Sequence, residues 1–306
     1  MISNALPKLT NLRRVHITMR WKDLQQILKM LNLHCPKLSG LSIRYDLFLE
    51  RSSAALATKN FKSRSTDGTG ELVFPKFTRL KDFAFTANGG DTSNLDEFLK
   101  HIKTRVQALA IKHHTWNYAT PLISVRHLAH LDIGGIFEGD SFDQILSNGH
   151  QLETLRLSCE LYCVASPVFR AHEKSLPFLR HFTLWVPEVA RHVKDTDLFP
   201  ALIEFIRNRR SLRLLAVGCS NQYFDTLGFN ASIWGVFPSL QNLLGLTTSL
   251  PSDMTPPMIP LFSWMLPRNL QYLHLGNAFA SCGAREFLTV RSLVQGCVVM
   301  SAEHST

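Results

Sequence analysis

Leu128-Ala129-His130-Leu131-Asp132-Ile133 and the later Leu152-Glu153-Thr154-Leu155-Arg156-Leu157 both carry apolar residues at relative positions one, four and six. In an extended chain successive side chains alternate between faces, so positions four and six share one face and the residues between them point away. Each hexapeptide therefore predicts a short strand with one dry side and one wet side.

The frame recurs at Leu12-Val15-Ile17, Leu38-Leu41-Ile43, Leu80-Phe83-Phe85, Val106-Leu109-Ile111, Leu179-Phe182-Leu184, Leu212-Leu215-Val217 and Leu270-Leu273-Leu275, with a degraded copy at Leu240-Leu243. Ten copies separated by about 29 residues on average match the long leucine-rich-repeat period, which leaves room for a helix between strands. The expected fold is an α/β leucine-rich-repeat solenoid, with a parallel sheet on the concave face and helices on the convex face. A solenoid grows by stacking units, so residues 1–295 are expected as one continuous body and 296–306 as a C-terminal tail.

Three intervals carry helical stripes at i, i+3, i+4, i+7: Leu24-Ile27-Leu28-Leu31, Leu95-Phe98-Leu99-Ile102 and Phe199-Leu202-Ile203-Ile206. Asn94, Asp197 and the pair Asp140-Ser141 stand where N-caps belong. Residues 50–72 are rich in Ser, Thr, Gly and Lys, follow neither period, and predict an exposed insertion. Pro251, Pro256, Pro257 and Pro260 mark a second irregularity. The first repeat begins almost at Met1, with no room for a full N-terminal cap, so a partial chain or a divergent gene model is expected. Ala284 to Val294 is expected as a final helix.

A chain of 306 residues, 45% hydrophobic and 10% aromatic, can bury a large core. Lys and Arg number 33 against 24 Asp and Glu, a net charge of +9, and read along the sequence the cations are scattered apart from Arg13-Arg14 and Arg207-Arg209-Arg210. Such a balance favours acidic partners weakly, and a basic-surface binder of nucleic acid or another polyanion is the alternative function class. The six cysteines form no C-x-x-C pair and have no disulfide-scaffold density, so a reducing compartment, cytoplasmic or nuclear, is expected. The N-terminus lacks the basic start and apolar core of a signal peptide, and the apolar run Met258 to Leu266 is too short to span a bilayer.

No phosphate loop, nucleophile elbow, H-E-x-x-H or calcium loop is present. Asp195-Thr196-Asp197 resembles a metal-binding D-x-D, but a cap for the helix at Phe199 explains it better. His113-His114 are read as a solvated turn past a strand, and Cys159 and Cys163 as a packing residue and a loop thiol. No catalytic residue, metal ligand, cofactor or membrane contact is assigned.

The open side of the strands carries the candidate partner-binding residues: Arg14, His16, Arg44, His130, Asp132, Arg156, His181, Thr183, Trp185, Tyr272 and His274. Neighbouring strands lie about 4.8 Å apart. Asp132, Arg156 and Thr183 thus fall in one row, His130, Thr154 and His181 in another, and Asp132 is expected to pair with Arg156. Trp185 and Tyr272 beside arginine have the composition of a binding hot spot, against the bland alternative of a merely solvated face.

These frames, with prolines just before several strands (Pro7-Lys8-Leu9, Cys35-Pro36-Lys37-Leu38, Leu176-Pro177-Phe178-Leu179, Phe237-Pro238-Ser239-Leu240), resemble the leucine-rich-repeat regions of fungal F-box-type proteins. The resemblance implies a ribonuclease-inhibitor-like solenoid and the substrate-recognition part of a ubiquitin-ligase subunit. The chain departs from the pattern where Asn or Cys should follow each strand: Asn88 fits, whereas Arg20, His114, Ile136, Glu160 and Pro187 do not. No F-box-like segment precedes the first repeat, so adaptor binding is carried over to no residue.

The expected function is that of a non-enzymatic interaction scaffold holding a protein on its concave face. Because closure entropy changes only slowly with loop length, deleting residues 52–69 should leave the thermal transition within about 1 kcal/mol of wild type. Loss of soluble protein on deletion would show that the insertion packs.

Overall fold

The computed structural model describes residues 8–18, 21–45, 73–87, 93–118, 123–207, 209–251, 262–275 and 288–289. The predicted insertion and most of the proline-rich stretch lie outside these residues. The fold is α/β, a leucine-rich-repeat solenoid, and the chain divides into two compact units, residues 1–135 and 136–306.

In the first unit the strands are β1 (Arg14–Thr18), β2 (Gly40–Tyr45), β3 (Asp82–Ala87), β4 (Ala108–Asn117) and β5 (His130–Phe137), which runs across the division. They neighbour one another in chain order. Parallel pairing sets Val15 beside Leu41, Leu41 beside Phe83 and Phe83 beside Leu109, the fourth position of each frame. Helices α1 (Trp21–His34) and α2 (Ser93–Ile102) fill two of the intervals. The α2 stripe is wholly buried, and in α1 Leu24, Leu28 and Leu31 are buried while Ile27 is half-buried. The helices cover the dry side of the strands, where Phe98 of α2 meets Phe83 of β3 edge-on at 5.0 Å and stacks on Phe74 at 4.5 Å.

The second unit contains α3 (Ser141–Asn148), β6 (Thr154–Leu161), α4 (Ser166–Ala171), β7 (His181–Val189), α5 (Leu198–Ile206), β8 (Leu214–Cys219), α6 (Phe224–Leu227), β9 (Gly245–Thr248), α7 (Phe262–Met265), β10 (Tyr272–Leu275) and β11 (Leu288–Thr289). From β6 to β10 the pairing is parallel, with Leu155, Phe182, Leu215, Leu246 and Leu273 in one row. A run of rings crosses the repeats behind this row: Phe137 on Phe142 (5.0 Å), Phe142 on Phe169 (5.5 Å), Phe169 on Phe205 (5.4 Å) and Phe205 on Phe182 (5.8 Å). Each helix from α3 to α5 thus contributes a phenylalanine to a continuous seam, and aromatic pairs of this kind add about 0.5–1.5 kcal/mol beyond area burial.

Two expectations about elements change. The register pairs Leu215 with Leu246 and Val217 with Thr248, so the ninth frame is Leu243-Leu246-Thr248 rather than Leu240-Leu243. Leu240 is buried in the turn before the strand, and a threonine in the last inward position hid the frame. Within the stretch expected as a last helix, Leu288–Thr289 is a strand pairing antiparallel with β10, satisfying its outer backbone groups.

The expected caps also differ. Neither Asp140 nor Asp197 caps with its side chain. Ser141 instead donates to the Glu138 carbonyl, and Asp197 accepts from the Arg170 guanidinium at 2.7 and 2.8 Å.

Arg209, grouped in sequence with Arg207 and Arg210 as surface charge, turns inward. It donates to the carbonyls of Phe205 (2.6 Å), Leu176 (3.0 Å) and Glu173 (2.8 Å) and lies 4.1 Å over the Phe205 ring. Burial pulls its pKa down to about 10, which leaves it protonated at neutral pH. Leu176, at φ 56 in a region a leucine rarely adopts, is held by that bond and by complete burial.

Leu155 on β6 is fully buried in the inward row. Leu155→Ala should destabilise by about 2–5 kcal/mol in chemical denaturation, because stacked neighbours cannot collapse into the space. An unchanged midpoint would contradict the register.

Candidate functional site

The face of the strands away from the helices is built from the third, fifth and seventh positions of the frame. In the first unit, Arg14, Gly40, Asp82 and Ala108 share the third-position row and His16, Ser42, Ala84 and Ala110 the fifth. In the second, Thr154, His181, Leu214, Gly245 and Tyr272 share the third and Arg156, Thr183, Ala216, Thr247 and His274 the fifth. Of the residues singled out in sequence, Arg14, His16, Arg44, His130, Arg156 and Tyr272 are exposed. Asp132, His181, Thr183, Trp185 and His274 are half-buried.

Glycines in these rows decide which side chains meet. Arg14 reaches past β2 to Asp82 on β3, with Nη2 at 2.8 Å from the carboxylate. Its arm crosses Gly40, where a Cβ would stand 2.8 Å from Arg14 Cγ. Lys112 likewise lies against Gly134 and pairs with Asp132 at 2.9 Å. The expected Asp132 partner, Arg156, is thereby replaced, and Arg156 forms no ion pair among the described residues. In the second unit the Trp185 indole and the Ser249 hydroxyl both lie against Gly218, and Leu214 leans over Gly245, which Tyr272 borders on the other side. At Gly40 and Gly245 the preceding strand's side chain sits 2.8 and 2.7 Å from a missing Cβ, closer than a real Cβ would tolerate, and at Gly218 it sits at 3.0 Å.

Smaller polar pairs complete the face. His16 Nδ1 lies 2.8 Å from Ser42 Oγ, and His181 Nδ1 lies 3.4 Å from Thr154 Oγ1. Sequence reasoning missed the glycines and Lys112. The available signal was a glycine at an outward strand position, next in row to a long side chain.

The D-x-D candidate has a structural role in another place. Asp195, 3% exposed, accepts the backbone N–H groups of Ala165 (2.8 Å) and Ser166 (2.9 Å), which open α4 in the preceding repeat. Its own loop is fixed by a bond from Asp195 N–H to the Thr226 carbonyl at 3.1 Å. Gly228, at φ +69, sits against Thr196, whose oxygen would be 2.0 Å from an added Cβ. His113 is another correction: it belongs to β4 and is buried, not part of a solvated turn. Cys159 is buried, and the Cys163 thiol, pushed up to about 11 by burial and then by nearby carboxylates, stays protonated at neutral pH and is a poor nucleophile.

Among the described residues no group of three His, Cys, Asp or Glu side chains is placed to hold a metal ion. A cavity of about 10 Å³ among Leu99, Ile102, Val106, Leu109 and Leu128 has room for about one water. No described helix is long and apolar enough to cross a membrane.

No protein-family model matches the chain, and no curated protein matches it. Among solved structures, a leucine-rich-repeat protein of Leptospira interrogans is similar at 12% identity and a TM-score of 0.33, over 89% of this chain and 68% of that one. A likeness of that size adds nothing to the strand register seen in this chain itself.

Asp195→Ala should lower stability by about 2–3 kcal/mol, since two backbone N–H groups lose a charged acceptor in a buried site. Asp195→Asn should recover part of that loss and EDTA should leave the transition unmoved, whereas a metal-dependent transition would return the motif to ligand binding.

Proposed function

We propose that the chain is a non-enzymatic scaffold that holds a protein partner against the open face of its sheet. The observation that carries this reading is the surface of the second unit around β7 to β10. Leu214, 38% exposed, and Tyr272, 43% exposed, stand beyond the two ends of the Gly245 gap, with the Trp185 indole against Gly218 four residues further along the strands. Large rings and small residues alternating on a rigid strand surface supply contact area at low entropic cost, which is the make-up of interface hot spots. Arg156 and His181 flank the patch and provide the charged and hydrogen-bonding rim that such centres carry.

The finer reading is the substrate-recognition part of an F-box-like ubiquitin-ligase subunit, with a degradation target on this face. It rests on the resemblance of the repeat frames, and it requires an adaptor-binding segment that none of the described residues supplies. A cytoplasmic or nuclear location accords with free thiols at Cys35, Cys159, Cys163 and Cys219.

Arg156→Ala and Tyr272→Ala should each change stability by less than about 0.5 kcal/mol and weaken capture of the cognate partner by about tenfold or more. Trp185→Ala is a poorer probe, because truncation also removes packing on Gly218. Lys100→Ala on the helical side should change neither property. Quantitative affinity capture from cells, scored for ubiquitin-ligase adaptors and for other proteins, makes the comparison. Equal capture by all variants would remove the open face from the function, and capture without adaptors would leave a free-standing scaffold.

A further inference from the structure

The positive charge of the chain is not spread over both units. Residues 1–135 hold 20 Lys and Arg against 10 Asp and Glu, a net +10, while residues 136–306 hold 13 against 14, a net −1. Reading cations along the sequence alone gave no sign of this, because they recur once per repeat instead of clustering.

In the first unit six of them line the edge at which the strands begin. Backbone bonds step across that edge from Ser39 N–H to the Arg13 carbonyl (2.8 Å), Lys81 to Ser39 (2.8 Å), Gln107 to Lys81 (2.7 Å) and Ala129 to Gln107 (2.8 Å). Successive turns are thus about 4.8 Å neighbours. They present Arg13, Lys37, Arg79, Lys81, Arg105 and Arg126, all exposed. The segments 10–13, 36–39, 78–81, 104–107 and 126–129 contain no acidic residue.

Three of the unit's acids are engaged in pairs of their own: Asp82 with Arg14, Asp132 with Lys112, and Asp96 with the Trp116 indole N–H at 3.1 Å. Lys37 donates to Asn11 at 2.7 Å, and among the described residues Arg13, Arg79, Lys81 and Arg105 form no ion pair. A line of like charges at this spacing is electrostatically unfavourable by itself and is relieved by a bound anion.

We infer that the strand-start edge of the first unit is a docking line for an acidic peptide segment laid across successive repeats. Alternate side chains of an extended peptide fall on one side about 6.7 Å apart, a spacing that long Lys and Arg arms on 4.8 Å centres can follow. Single-stranded nucleic acid fits less well, because base stacking needs exposed rings, and among the described aromatic side chains of this unit Phe77, Phe83, Phe85, Phe98, Trp116 and Tyr118 are buried and Phe74 is half-buried. Duplex DNA also fits less well. Its sequence is read by an element entering a groove, whereas these turns are compact, as where Leu38 N–H closes on the Cys35 carbonyl at 3.0 Å.

The test uses the full chain and a fluorescein-labelled peptide of about ten alternating Glu and Gly residues, beside single-stranded RNA and duplex DNA of about equal charge, at about 50 mM salt. Arg79→Glu with Arg105→Glu should weaken peptide binding by about tenfold or more, and rising salt should weaken the wild type. Lys29→Glu with Lys100→Glu makes the same change in net charge on exposed helical positions and should cost less than about threefold. Should the edge double variant melt early, Arg79→Gln with Arg105→Gln serves in its place.

Equal losses from the two double variants would reduce the effect to net charge and overturn the inference. Tighter binding of either nucleic acid than of the peptide would overturn the choice of partner. Arg156→Ala and Tyr272→Ala, which probe the scaffold reading in the other unit, should leave peptide binding unchanged, so the two readings fail separately.

Discussion

Everything in this molecule depends on burying an apolar stripe that no repeat can bury alone. A strand with Leu155 and Leu157 on one side exposes them unless a neighbouring strand and a helix cover that side, and the covering elements bring stripes of their own. Phe98 over Phe83 in one unit, and the ring seam from Phe137 to Phe182 in the other, show the solution: strand and helix rings from adjacent repeats interlock, so each repeat completes the core of the next. Stacking of this kind distributes stability over nearest-neighbour contacts.

The same dependence governs the polar groups. Asp195 lies in one repeat and satisfies the first N–H groups of α4 in the repeat before it. Arg209 does the equivalent at the opposite end, gathering the carbonyls of Glu173, Leu176 and Phe205 and holding Leu176 in its left-handed conformation. Helix ends in so short a repeat have little length for self-capping, so a long charged side chain from the next repeat serves instead. Residues that look like surface chemistry in sequence, an acidic pair and an arginine cluster, are thereby partly consumed by architecture.

On the open face the controlling element is the absence of a side chain. Gly40, Gly134, Gly218 and Gly245 let the residue from the preceding strand reach across the row, joining Arg14 to Asp82 and Lys112 to Asp132 and bringing Trp185 and Leu214 against the glycine backbone. The first unit consequently spends its face acids on internal pairs and keeps an acid-free basic edge, while the second presents rings and small residues. The two units share a kind of repeat but differ in the chemistry of their surfaces.

The period-two and period-3.6 patterns of leucine, phenylalanine and isoleucine were enough to define the α/β repeat, nearly all strand frames, three helices and which residues face outward. Alternation along a strand is local and survives in any register. The ninth frame was misplaced because Thr248, in an inward position, breaks the apolar signature that the eye follows. Which outward side chains meet was not legible: Asp132 goes to Lys112 rather than Arg156, and Arg14 crosses a whole strand. Those outcomes depend on the size of a residue on a neighbouring strand about 22 to 26 positions away, and on the register that sets the two side by side. His113 in a strand, Asp195 as a cap for another repeat's helix and the basic edge of the first unit have the same origin. Sequence determined the pattern within each repeat, and contact between repeats decided the chemistry, because stacking makes neighbours of residues that the chain keeps far apart.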